Sequence, residues 1–204
     1  ANFHKLNNPI ENAFHIRRDV RDYFDDKWHF HDMMEFTYIE QGTGVRYIGD
    51  SIESFKDGEV ILVGLQLPHV WKSDPLERKS DHEKKCIAIV IQFPMDFLGN
   101  HFWQLIESKN IMALLQRAER GIVFKGETKK ILAQRMADLL DYNGMERLVR
   151  FLELLHLAAT GENYKLLASP LFIETVYNND QTINKVFQYV MVNFTEPTKP
   201  STAA

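Results

Sequence analysis

The stretch Trp28-His29-Phe30-His31-Asp32-Met33-Met34-Glu35 limits what this chain can fold into more than any other part of it. Side chains along an extended strand alternate with a period of two, so His29, His31, Met33, Glu35 and Thr37 share one face. Two imidazoles and a carboxylate on one strand face converge only where that face lines a cavity. The next imidazole must then come from a neighbouring strand, and His69 in Leu67-Pro68-His69-Val70-Trp71 is the candidate. Three imidazoles and one carboxylate (His29, His31, His69 and Glu35) suit Zn, Fe, Ni, Cu or Mn and leave positions open for a substrate. Ring nitrogens about 3–3.5 Å apart would fit a shared ion with bonds of about 2.0–2.1 Å. Imidazoles splayed farther apart, each with its own partner, would favour a pocket for an organic effector instead.

The flanking sequence supplies the strands such a cavity needs. Between residues 14 and 93 short β-prone runs alternate with Gly, Asp, Ser and Pro; the clearest cover residues 34–40, 44–48, 60–63 and 86–93. Spacing of this kind suggests an antiparallel sandwich or barrel. Glycines in Gln41-Gly42-Thr43-Gly44 and Ile48-Gly49-Asp50 suit tight hairpins. The charged residues 72–85 read as a solvated loop. Cys86, the single cysteine, opens an apolar run and reads as a small buried hydrophobe, with no disulfide possible within the chain.

After Pro94 the apolar period becomes helical. Helices are expected over residues 95–110 and 111–120, with a break near Gly121. An α-hairpin from Glu127 to Ala159 follows, its two arms joined at Tyr142-Asn143-Gly144. Residues 162–182 show no sustained period and read as a linker, and residues 183–194 as a last amphipathic helix. The chain thus divides into a β unit (1–94), a helical unit (95–161), a linker (162–182) and a final helix with its tail (183–204). A formal net charge of −4 argues against the chain as a whole being an electrostatic magnet for nucleic acid. No apolar run is long enough to span a bilayer, and the N-terminus lacks a basic-then-apolar signal, so a cytoplasmic location is expected.

The spacing of the histidine motif resembles the cupin family. His29-x-His31, three residues, Glu35, six residues and Gly42 are similar to the first cupin motif, and Gly58-Glu59-Val60-Ile61-Leu62-Val63-Gly64-Leu65-Gln66-Leu67-Pro68-His69 to the second. Two departures stand out: Gly64-Leu65-Gln66 replaces the usual Pro-x-Gly, and Ser73 the usual Asn. The resemblance implies a jelly-roll barrel over the first half of the chain, followed by an all-α half made of the α-hairpin and the terminal helix.

A wider set narrows the resemblance. Trp28-His29-Phe30-His31, Leu67-Pro68-His69-Val70-Trp71, Ile91-Gln92-Phe93-Pro94, Gln116-Arg117-Ala118-Glu119-Arg120-Gly121-Ile122-Val123-Phe124 and Ile183-Asn184-Lys185-Val186-Phe187-Gln188-Tyr189-Val190 together resemble the AraC family of bacterial transcription regulators. In that family a cupin senses a small molecule, helices dimerise, and a pair of helix-turn-helix units binds DNA. The resemblance implies a non-enzymatic sensor and dimerisation portion with an effector pocket, most of the DNA-binding unit lying outside this chain. Pocket candidates are His29, His31, Glu35, Thr37, His69, Trp71, Tyr47 and Gln92; Trp71 and Tyr47 suit core packing equally well. A ring of His, Thr, Tyr and Trp resembles a sugar-sensing arrangement. A homodimer is expected through Glu127 to Ala159, because Leu148, Phe151, Leu152, Leu154, Leu155 and Leu157 make a wide apolar stripe. The alternative is a metal-dependent cupin enzyme, an isomerase or dioxygenase, favoured by the four potential ligands.

Overall fold

The computed structural model describes residues 2–3, 12–25, 27–74 and 85–178, and the helix expected over residues 183–194 lies outside them. Among the described residues, eleven strands form two sheets. They are β1 (Asn2–Phe3), β2 (His15–Arg21), β3 (His29–Phe30), β4 (Met34–Gln41), β5 (Gly44–Ile48), β6 (Ser51–Phe55), β7 (Val60–Val63), β8 (His69–Ser73), β9 (Cys86–Phe93), β10 (Ile122–Phe124) and β11 (Tyr164–Leu166). One sheet runs β1-β3-β8-β5-β6 and the other β11-β10-β7-β4-β9-β2. Facing one another, they form a barrel of jelly-roll type, and helices follow in sequence.

Alternation along the strands separates two apolar layers. Residues of one parity (Ile39, Ile48, Ile61, Val63, Trp71 and Val90) meet inside the barrel. The opposite parity of the six-stranded sheet (Phe36, Val60, Leu62, Ile89, Ile91 and Phe93) faces outward. That outer face is hydrophobic because helices cover it: α2 (Lys109–Arg117), α3 (Gly126–Asp138) and α4 (Gly144–Thr160). Phe151 of α4 is fully buried there, stacked on Phe14 at 4.1 Å between ring centroids and edge-on to Phe93 at 5.0 Å. The described strands and helices therefore share one core across the expected boundary at residue 94.

Three expectations about elements need correction. Residues 95–110 are not one helix: a turn, the short α1 (Asn100–Trp103) and a 3-10 turn at Ile106–Ser108 occupy them. Gly99, at φ 76°, interrupts the helical path. Of the loop expected over residues 72–85, Lys72 and Ser73 are still strand, and residues 75–84 lie outside those described. The linker expected over 162–182 instead carries β11, which pairs antiparallel with β10, and α5 (Pro170–Asn178). β11 is too short to show a period by itself; pairing with an existing sheet edge makes it a strand.

The altered second motif has a packing reason. Gly64 ends β7 where the 118–120 turn crosses it, and a Cβ there would lie 2.5 Å from the Ala118 carbonyl oxygen. That oxygen is backbone and cannot swing away. Gly64→Ala is expected to lower unfolding free energy by about 1–3 kcal/mol, read as a lower urea midpoint with an unchanged slope.

Candidate metal centre and cavity

Strand register delivers the polar cluster. His29 in β3 pairs directly with His69 in β8. Glu35 in β4 lies opposite Gln92 in β9, and Thr37 follows Glu35 on the same face. The imidazoles gather closely, with ring centroids 4.4 Å apart for His29 and His69 and 5.0 Å for His31 and His69. One ring nitrogen from each of the three histidines lies within 4.8 Å of the other two. This bound is looser than the spacing of about 3–3.5 Å expected around a shared ion.

The backbone sets which nitrogen of each ring faces the centre. Nδ1 of His29, His31 and His69 meets the carbonyl oxygens of Lys27 (2.8 Å), Met33 (2.9 Å) and Leu67 (2.8 Å). A carbonyl can only accept, so each Nδ1 carries the proton, and Nε2 of a neutral ring is a lone-pair donor to a cation. His31 Nε2 stands 3.2 Å from Glu35 Oε2, and His69 Nε2 stands 3.9 Å from Glu35 Oε1. His69 Nε2 is buried with no hydrogen-bond partner among the described residues. With Nδ1 protonated, His31 Nε2 donates a hydrogen bond to Glu35 only when the ring carries both protons; without that second proton, a cation between the ring and the carboxylate would balance the facing lone pairs. The three imidazoles are a donor set of the kind that could hold a divalent transition metal, with Glu35 beside His31 and His69.

The carboxylate is built to stay ionised. Burial alone would raise the Glu35 pKa, but the His31 hydrogen bond, the neighbouring imidazoles and Gln92 together hold it well below the usual carboxylate range. Thr37 Oγ1 donates to Glu35 Oε1 at 2.8 Å, and Gln92 Nε2 donates to Oε2 at 2.6 Å. Arg17 in turn donates to Gln92 Oε1 at 2.7 Å, which fixes the orientation of that amide. For His69, burial outweighs the attraction of Glu35 and pushes the pKa down to about 3, so the ring is neutral near pH 7.

Beside the cluster a cavity of about 540 Å³ opens, within the range of small-molecule sites. Its wall includes His29, His31, Glu35, Thr37, Trp71 and Gln92, whereas His69, expected there too, sits behind His29 and His31 and is not part of the wall. Tyr47 does not line it. Tyr47 pairs with Val70 on β8, whereas Arg46 and Ile48 pair with Trp71 and His69 and point inward, so the one-residue parity places Tyr47 on the outer face. Phe24, Ile39 and Val90 form an apolar wall, and Arg17, Asp19 and Lys27 also line the cavity. Arg17 and Asp19 were missed because the alternating charges of β2 look like a solvated edge strand. Only its pairing with β9 turns their face inward.

No protein-family model matches this chain, and no curated protein matches it. Among solved structures, the AraC-like transcriptional activator CuxR is similar at 11% identity and a TM-score of 0.43, over 78% of this chain and 57% of that one. Fatty-acid-bound ToxT from Vibrio cholerae gives 10% identity and a TM-score of 0.44, over 96% of this chain and 68% of that one. A cupin 2 conserved barrel domain protein from Rhodopseudomonas palustris gives 15% identity and 0.32, over 45% of this chain and 57% of that one. The chain therefore spans less than two thirds of the length of CuxR and of the cupin barrel protein.

The buried neutral imidazole predicts an acid-sensitive metal-free protein. The unfolded chain takes up a proton at His69 below the ordinary histidine pKa of 6.5, while the folded chain resists down to about 3. Stability from this group is therefore present above 6.5 and is lost as pH falls through that window. Glu35, with its folded pKa depressed, loses its contribution only at lower pH, as pH drops below 4.5. In EDTA-treated protein, lowering the pH from 7 to 5 is expected to cost about 2 kcal/mol of unfolding free energy through His69. Urea titrations should show that loss in the wild type and not in His69→Gln.

Proposed function

We propose that this chain is the ligand-sensing portion of an AraC-type transcriptional regulator, taking a small polar metabolite, a sugar or a related compound, into the barrel cavity. The carrying observation is the cavity itself. It sets ionised Glu35 and the His29 and His31 imidazoles at one end, with His69 packed against both rings, an apolar wall of Phe24, Ile39 and Val90 beside them, and Trp71 on the same wall. A ligand that satisfies this floor gains selectivity, because leaving a buried imidazole or carboxylate unpaired costs about 1–3 kcal/mol. A sensor needs no turnover, only a ligand that prefers one arrangement of barrel and helices over another. DNA binding would belong to helix-turn-helix units beyond this chain.

The same donor set favours a second reading, a metal-dependent cupin isomerase or dioxygenase. Bound there, a divalent cation would supply Lewis acidity, with His29, His31, His69 and Glu35 holding it and Gln92 and Thr37 keeping the carboxylate oriented. Element analysis with turnover assays on sugars and catechols separates the two: stoichiometric Fe, Mn or Ni with turnover would replace the sensor reading.

We also place a homodimer on the α3–α4 hairpin, on a smaller surface than the sequence stripe suggests. Phe151, Leu154 and Leu155 are buried against the barrel, and Leu148, Leu152 and Leu157 are half-buried. What remains open is Met145 (73% exposed), Val149 (47%) and Ile131 (40%).

A thermal-shift panel of mono- and disaccharides, uronic acids and polyols tests the pocket. Stabilisation by a panel member is expected in the wild type and should vanish in His31→Ala and Glu35→Ala; stabilisation that survives both would place binding elsewhere. For the dimer, light scattering should give twice the chain mass for the wild type and the single-chain mass for Val149→Asp, with unchanged circular dichroism.

A further inference from the structure

A short covalent and hydrogen-bonded path joins the cavity floor to the segment that leaves the barrel. After α4 the chain returns through β11 and inserts Leu167, Ala168 and Phe172 into the barrel-interior cluster, beside Ile48 and Val123. The receiving surface is the β5–β6 turn. Gly49 sits there at φ 57°, and a Cβ on it would lie 2.7 Å from the Ala168 Cβ and 3.1 Å from the Phe172 ring. Polar contacts fasten the same docking: Ser169 N–H donates to Asp50 Oδ1 at 2.8 Å, and Arg120 Nε donates to the Ala168 carbonyl at 2.7 Å. Ahead of it, Lys165 Nζ donates to Glu53 Oε1 at 2.6 Å; Glu53 in turn pairs with buried Arg46 at 3.1 Å.

The other side of that turn meets the histidine cluster at His69. Gly49 N–H donates to the Pro68 carbonyl at 2.8 Å, one residue before His69. Ile48 pairs with His69 and Arg46 with Trp71 in the β5–β8 ladder. The Leu67 carbonyl holds His69 Nδ1, and Leu67 packs in the same interior cluster as Leu167 and Ala168. A close-packed turn of this kind cannot shift on one face without disturbing the other. A ligand or cation that draws on His69 therefore pulls the Leu67-Pro68 peptide, and with it the Gly49 seat.

We propose that residues 167–173 form a latch whose docking on the Gly49-Asp50 turn is coupled to occupancy of the histidine cavity through Pro68 and His69. The proposal rests on the cavity being a binding site and names its output: the path by which occupancy reaches the chain beyond α5. Coupling between sites is reciprocal, so whatever tightens the latch on ligand binding must also tighten the ligand when the latch is docked.

Hydrogen exchange of the whole chain with Zn²⁺ as probe tests this. Saturating Zn²⁺ is expected to slow exchange across residues 167–173 by at least about fivefold, the lower end of ordinary coupling. Ala168→Glu, which cannot dock against Gly49, should weaken Zn²⁺ binding by a like factor, and Ala168→Gly should leave it unchanged. Zn²⁺ binding with no change over 167–173 would overturn the latch and leave the cation site standing. If Zn²⁺ does not bind, the cation site fails and the metal-free protein decides the latch. There Ala168→Glu must speed exchange over residues 67–73, and unchanged exchange overturns the coupling. Should Ala168→Glu fail to fold, Lys165→Met, which removes only the contact to Glu53 from a half-exposed side chain, serves in both measurements.

Discussion

The interior of this barrel is organised around one buried carboxylate. Glu35 is ionised deep between two sheets, and every group near it is arranged to make that tolerable: Thr37 and Gln92 donate to it, His31 stands at 3.2 Å, and His69 stands behind. A buried charge without such partners would cost many kcal/mol or be neutralised by protonation. Three peptide carbonyls, from Lys27, Met33 and Leu67, complete the arrangement by holding the ring protons on Nδ1. The result is a cluster rich in acceptors at one point beside the cavity, a chemistry that suits a cation or a ligand rich in donors.

The two apolar layers follow from the same need. Polar groups face into the barrel from β2, β4, β8 and β9, so the six-stranded sheet must find much of its hydrophobic burial on its other face. The helices supply it. Phe151, Leu154 and Leu155 of α4 share one buried cluster with Phe36, Leu62 and Phe93, Phe151 lying edge-on to Phe93. A second buried charge group, Arg46 with Glu59 at 2.8 Å and Glu53 at 3.1 Å, lies next to Trp71 in register. Arg46 is almost wholly buried, and nothing in the residue pattern of Gly44–Ile48 announces it.

Much of the site was legible in advance. Period two placed Glu35 and Thr37 together on β4, but the single strand expected over residues 29–37 is divided: His29 lies on β3 in the other sheet and His31 in the link between them. The β-prone runs at 44–48, 60–63 and 86–93 coincide with strands β5, β7 and β9. Errors arose where a neighbour decides the outcome. Tyr47 was assigned to the cavity although its parity is opposite to that of Ile48 and Arg46, because the register of β5 against β8 is not written in either strand alone. Residues 164–166 are a strand only because β10 offers an edge, and Arg17 faces the cavity only because β2 pairs with β9.

By itself the sequence determined the alternation of faces, the spacing of the histidine motif and the change from strand to helix after Pro94, all of which depend on residues close together in the chain. Tertiary structure alone decided which faces meet: Gln92 opposite Glu35 across 57 residues, His69 beside His29, and Ala168 against Gly49. Those pairings are set by loop lengths, twist and close packing summed over the whole barrel, and no local pattern carries that sum. The histidine stretch at residues 29–35 specified the ingredients of the cluster. The barrel specified where their lone pairs point.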